Sequence, residues 1–167
     1  DEIFSTEQLV EWFTLDGIGK SPSRFDYAKL ENLNGHYIRN MPDAELMQEF
    51  ISFLPHVESG REMLEKLDET RNAQLRKALP GLKERAKTLV ELMKGAQFLF
   101  AERPLVMDDK AKQILAEGGS VLKELHGLLA AEPEWKAASL EAAIKAHAEA
   151  SGQKLGKLAQ PLRASLT

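Results

Sequence analysis

The chain has 167 residues, 43% of them apolar and 29% charged, and carries a net charge of −4 at neutral pH. That length suits one generous domain or two small helical ones with a genuine core. There is no cysteine, which excludes disulfides and thiolate metal sites and fits a reducing compartment, and no apolar run approaches the ~18 residues of a membrane span. A cytoplasmic protein without a membrane partner is therefore expected, and the ends at Asp1 and Thr167 read as cuts in a longer parent. The sign of the charge reverses along the chain: residues 1–70 carry 15 Asp/Glu against 6 Lys/Arg, and residues 71–167 carry 11 against 16. A basic second part suits a polyanionic partner, although solvated helix faces account for such charges equally well.

In chain order, Ser5-Thr6-Glu7-Gln8 has a capping-box pattern and opens a helix whose apolar face is Leu9, Val10, Trp12 and Phe13. Residues 17–23, rich in glycine, serine and proline, predict a loop. Asp26 caps a second helix through Lys29, Leu30 and Leu33, which stops at Asn34-Gly35, a left-handed type of end. Met41-Pro42-Asp43 restarts a helix over 44–54 that ends before Pro55. The spacing of Met63, Leu64, Leu67 and Leu75 predicts a helix over 58–77, broken by Pro80-Gly81. Leu82, Ala86, Leu89 and Met93 then recur at helical spacing, and Ala96, Leu99 and Phe100 continue their face.

After a connector at Arg103-Pro104-Leu105, Asp108 caps a helix that Gly118-Gly119 ends, and residues 120–130 make another. Pro133-Glu134-Trp135 interrupts, Ser139 caps a helix over 140–150, and Gly152 closes it. Residues 154–166 form a last helix, bent or begun at Pro161. No alternating strand of five or more residues is present, so the class is all-α, a multi-helix bundle with short connectors.

Catalytic chemistry finds no constellation. His36, His56, His126 and His147 each lack a second ligand at metal spacing. Gly19-Lys20-Ser21 fails as a phosphate loop because the required first glycine falls at Thr14 and no buried strand precedes it. Asp108-Asp109 sits at a helix start, where it suits the macrodipole. Trp12 and Trp135 lie in apolar periodic contexts and are expected in the core rather than stacked on bases.

The basic segment is more informative. Between Arg71 and Lys94 stand seven cations, Arg71, Arg76, Lys77, Lys83, Arg85, Lys87 and Lys94, against Glu84 and Glu91. On a continuous helix Lys83, Lys87 and Lys94 share one flank, and Arg85 borders the buried face on the other, its stem packed and its guanidinium exposed. A fixed guanidinium can pair bidentately with a base edge, whereas mobile lysines mainly neutralise phosphates. An amphipathic helix with a wet cationic side explains the same pattern.

Several strings together resemble the bacterial glutamyl-tRNA synthetases downstream of their catalytic domain. They are Glu2-Ile3-Phe4-Ser5, Lys20-Ser21-Pro22 with Phe25-Asp26, Lys29-Leu30 followed by Leu33-Asn34-Gly35-His36-Tyr37-Ile38-Arg39, the Phe98-Leu99-Phe100 ending, and Lys154-Leu155-Gly156 through Ala159-Gln160-Pro161-Leu162-Arg163. One departure is Asn32, where many relatives carry tryptophan. The resemblance implies a class I synthetase anticodon-binding cage of helices. Residues 1–41 would end the stem-contact region, 42–100 form a first anticodon-binding subdomain, and 101–167 a second, truncated one. It also implies that ATP and magnesium serve the parent ligase through motifs upstream of this segment, which needs no cofactor of its own.

Carried over residue by residue, the family's anticodon-reading arginines match Arg85 and Arg163. Lys83, Lys87, Lys94, Arg76 and Lys77 would hold the tRNA backbone, and Asn34, Gly35 and Arg39 would brace the corner of the tRNA. The expected partner is tRNA(Glu), not DNA, and the expected state is a monomer. A helical adaptor that docks a protein through its acidic first part, without RNA binding, is the alternative.

Overall fold

The computed structural model describes residues 3–19, 21–22 and 24–166, all in helices, turns and connectors. Asp1, Glu2, Lys20, Ser23 and Thr167 lie outside the described residues, so the ends of the chain and two positions of the predicted 17–23 loop are not discussed further. The chain divides into two compact units, residues 1–100 and 101–167.

The first unit contains α1 (Thr6–Trp12), α2 (Tyr27–Asn40), α3 (Asp43–Phe53), α4 (Glu58–Glu65), α5 (Glu69–Lys83) and α6 (Leu89–Ala96), with short 3-10 turns after α1, α3 and α6. Its core draws Ile38 from α2, Leu46, Met47 and Phe50 from α3, Met63 from α4, Leu75 and Leu79 from α5, and Leu92, Met93 and Ala96 from α6. Each fully buried side chain of this size contributes about 1.5–3 kcal/mol relative to exposure. The Ser5 capping box forms as the sequence predicts, with Oγ accepting from the Gln8 amide and the Gln8 side chain accepting from the Ser5 amide. The apolar face of α1 is nevertheless not inward: α1 buries no residue, and Trp12 is 56% exposed.

Three boundaries differ from those read off the sequence. Helix α2 runs straight through Asn34-Gly35, because both residues are committed to a tertiary contact instead of a helix stop. It ends at Met41, whose extended ψ of 136° is what a following proline imposes. The helix predicted over 58–77 divides at Lys66-Leu67-Asp68: Asp68 accepts the Arg71 amide at 2.7 Å and starts α5 afresh. Pro80-Gly81, the predicted break, lies inside α5, where the exposed proline removes a single donor three residues before the helix ends. The periodicity of Leu82, Ala86, Leu89 and Met93 thus belongs to two helices and the turn between them, folded over one core.

The second unit contains α7 (Asp109–Glu117), α8 (Gly119–Ala130), α9 (Ala137–Ser151) and α10 (Leu155–Leu166). Asp108 caps α7 by accepting the Ala111 amide, as its position predicts. Ser139 does not cap α9 but lies inside it, behind Lys136 at the N-cap, and Gly152 closes it with φ 64°. The core is small: Leu125, Ala148 and Leu158, flanked by Val121, Leu128, Ile144 and Leu162. Trp135 is 71% exposed and takes no part in it. Helix α10 is continuous through Pro161 rather than begun there, and the buried ring lies 2.6 Å from where a Cβ on Gly118 would stand. Only glycine lets the joint between α7 and α8 approach that ring.

Gly118→Ala is accordingly expected to destabilise the second unit by roughly 1–3 kcal/mol through overcrowding. Leu79→Ala should cost the first unit roughly 2–5 kcal/mol through a cavity, both measured by urea unfolding followed by circular dichroism. The Arg71 amide, and then its guanidinium, hold the Asp68 carboxyl below its usual range. A depressed carboxyl stabilises the fold above its unfolded pKa, and the contribution is lost as pH falls through the folded one. The protection of amides at the start of α5, measured relative to their intrinsic exchange rates, should therefore fall on acidification into that range, and Asp68→Asn should abolish this change in protection.

Candidate nucleic-acid interface

The exposed cations of the basic segment centre on the turn between α5 and α6. Arg85 sits in the middle of this turn, not on a helix flank as the sequence predicts, and it is exposed. What holds it is the backbone on either side. The Arg85 amide donates to the Leu82 carbonyl at 3.2 Å and the Ala86 amide to the Lys83 carbonyl at 3.4 Å, closing the turn on the end of α5. Ala86 is buried in the core of the first unit and pins the next position. The Lys87 amide donates to Glu91 Oε2 at 2.7 Å, and the Lys87 carbonyl accepts from Asn34 Nδ2 of α2 at 2.5 Å. Thr88 Oγ1 then accepts the Glu91 amide at 3.1 Å and starts α6. Every residue from 85 to 88 is thus tied through main chain, core or cap.

The remaining cations separate by what they touch. The Lys83 ammonium lies 2.6 Å from Asp43 Oδ1 and donates to the Met41 carbonyl at 3.0 Å, with only 15% of its side chain exposed. It ties the end of α5 to the junction of α2 and α3 and is not presented to a ligand, which corrects its placement among the backbone-binding lysines. Arg71 is bound to Asp68, and Arg76 Nε donates to Asn72 Oδ1 at 2.9 Å. Arg76 and Lys77 are exposed on α5, Lys77 opposite Leu75 and Leu79 and Arg76 on their flank, and Lys94 is exposed on α6. Lys87 is exposed beside Arg85, whereas Arg163 is exposed on α10 of the second unit, two positions after buried Pro161.

Of the three expected corner-bracing residues, Asn34 faces Lys87 through its amide and Gly35 is buried against the Lys87 backbone. Arg39, half-buried, has Nη1 3.1 Å from where a Gly35 Cβ would stand. Sequence reading missed Asn34, Thr88, Glu91 and Asp43 as supports of the turn. Only Thr88-x-x-Glu91, a capping-box spacing, carried a signal. Among the described residues no group of three or more His, Asp or Glu side chains is placed to hold a metal ion, and no helix is long and apolar enough to cross a membrane.

The described residues thus form an all-helical scaffold that presents a backbone-anchored arginine among exposed lysines. The sequence model of the anticodon binding domain matches residues 21–167, and the chain belongs to that family. Over its whole length the chain is 56% identical to glutamate--tRNA ligase 2 of Brucella ovis and, equally, to glutamate--tRNA ligase 1 of Brucella melitensis, covering 36% of each. It also matches the crystal structure of a glutamate tRNA ligase from Elizabethkingia meningosepticum in complex with its amino acid. That match has a TM-score of 0.68 and 28% identity, and takes in all of this chain and 32% of that one. The chain therefore spans about a third of the length of the relatives it matches.

Lys83→Met should lower stability by about 1 kcal/mol, as expected for a partly exposed pair, and a thermal melt would read the loss. Asp43→Asn should cost a comparable amount, and the double variant little more than either alone, because the two charges form one interaction.

Proposed function

We propose that this chain is the tRNA-gripping C-terminal part of a glutamate–tRNA ligase, that its partner is tRNA(Glu), and that Arg85 reads an anticodon base. The observation that carries this reading is an exposed guanidinium on a turn whose neighbouring residues are fixed by the core and by hydrogen bonds. Anticodon bases are unstacked and expose their edges, which is where sequence-specific RNA readout is physically possible. A guanidinium presents a planar fork of donors, so it pairs with acceptors on one base and leaves donors unpaired against another. The discrimination is realised only if the fork arrives in one place, and an anchored turn provides that.

Arg163 supplies a second base contact from the other unit. Lys87, Lys94, Arg76 and Lys77 neutralise phosphates, a role that tolerates mobile side chains. Lys83 is left out because its ammonium is already paired with Asp43. Residues 1–41 would close the stem-contact region, with 42–100 and 101–167 as the two anticodon-binding subdomains, in a soluble cytoplasmic monomer. ATP and magnesium belong to the adenylate chemistry of the whole ligase.

Arg85→Gln should lose roughly 1–3 kcal/mol of discrimination between tRNAs that differ in the last anticodon letter, the usual worth of a bidentate base contact. Lys87→Ala should instead weaken all tRNAs alike and flatten the salt dependence by about one phosphate contact. Filter-binding titrations at two salt concentrations separate the two effects. Equal losses on every anticodon variant from both substitutions would refute the assignment.

A further inference from the structure

The anchoring of the Arg85 turn involves α2 in a way that neither its family nor its charge pattern assigns. Helix α2 grips the turn at both ends. At one end the Met41 carbonyl, at the C-cap of α2, accepts from the Lys83 ammonium. At the other, Asn34 Nδ2 donates to the Lys87 carbonyl across 53 positions of sequence. Asn34 and Met41 are two helical turns apart, about 10 Å, so the segment 83–87 is strung along one face of α2. Between the two attachments Gly35 is buried, and a Cβ there would lie 3.3 Å from Lys87 Cα and 3.4 Å from Lys87 Cγ. The missing side chain is what allows the turn to lie so close to the helix.

From this juxtaposition we propose that Asn34 and Gly35 are positioning residues for anticodon reading: they touch no RNA but set where Arg85 presents its guanidinium. The proposal rests on the reading of Arg85 given above. It follows from the lever that a turn provides. A shift of a few tenths of an ångström at Lys87, two positions from Arg85, is carried to the end of a long side chain, where hydrogen-bond geometry tolerates little error. The bond to the Lys87 carbonyl uses one N–H of the Asn34 amide and fixes how the rest of that group is oriented. A merely structural role would show in stability and leave selectivity alone.

The test uses the 167-residue chain and tRNA transcripts that match or alter the last anticodon letter, with four variants: Asn34→Ala, Gly35→Ala, Arg85→Gln, and Asn34→Ala combined with Arg85→Gln. Asn34→Ala should reduce the discrimination ratio roughly fivefold, the fold-change that the net worth of one hydrogen bond corresponds to. It should leave the salt slope unchanged and speed amide exchange across residues 84–88. Gly35→Ala should also reduce the ratio, although alanine favours a helix interior. On the Arg85→Gln background Asn34→Ala should cost no further discrimination, because both act through one contact.

Losses that multiply in the double variant would make Asn34 an independent RNA contact and overturn the proposal. So would Asn34→Ala keeping full discrimination while Arg85→Gln loses it. If Arg85→Gln itself keeps discrimination, the reading of Arg85 fails and the positioning role fails with it. That result differs from a failure confined to Asn34.

Discussion

One side-chain to main-chain attachment, the Lys87 carbonyl held by the side-chain amide of Asn34, ties the turn that carries Arg85 to helix α2. Arginine has long, soft torsions, and fixing it on binding costs conformational entropy. Burying its stem would be one way to reduce that cost, but this fold leaves the side chain in solvent and immobilises the backbone beneath it. Ala86 in the core, Glu91 on the Lys87 amide and Asn34 on the Lys87 carbonyl each remove a degree of freedom that a free loop would keep. The residue stays exposed while the backbone on either side of it is anchored.

The same constraint decides which cations serve the surface. A count of charges treats all seven between Arg71 and Lys94 alike, but the fold does not. Arg71 is bound to the Asp68 cap and Lys83 joins the ends of α5 and α2 through Asp43 and Met41, so both act in assembly. Lys77, Lys87 and Lys94 remain exposed on α5, the turn and α6. This division suits a polyanion: internal pairs place the structure, and surplus exposed charge supplies affinity that does not depend on sequence.

Membership of the anticodon-binding family, with relatives roughly three times as long, also frames the exposed apolar side chains near the start of the chain. Phe4 and Trp12 meet edge to face at 5.9 Å and Phe25 and Tyr27 at 5.1 Å, yet all four remain at least 36% exposed. Among the described residues the second unit buries a small cluster of Leu125, Ala148 and Leu158 together with Pro161, whose ring packs closely against Gly118.

The all-helical class, the caps at Ser5, Asp26 and Asp108, and part of the first core (Met63, Leu75, Ala86, Met93, Ala96 and Phe100) were legible in the sequence, because capping and 3.6-residue periodicity act over a few neighbouring positions. The proposed roles of Arg85 and Arg163 rest on the family resemblance of local strings. Tertiary structure alone decided that Asn34-Gly35 continues a helix, that Pro80 sits inside one, and that Arg85 rides on a turn instead of a helix flank. It also decided that Trp12 and Trp135 face solvent and that Lys83 faces Asp43. Two of these depend on a partner outside the local window, the Lys87 carbonyl 53 positions from Asn34 and Asp43 40 positions from Lys83, and local pattern carries no information about which distant group arrives.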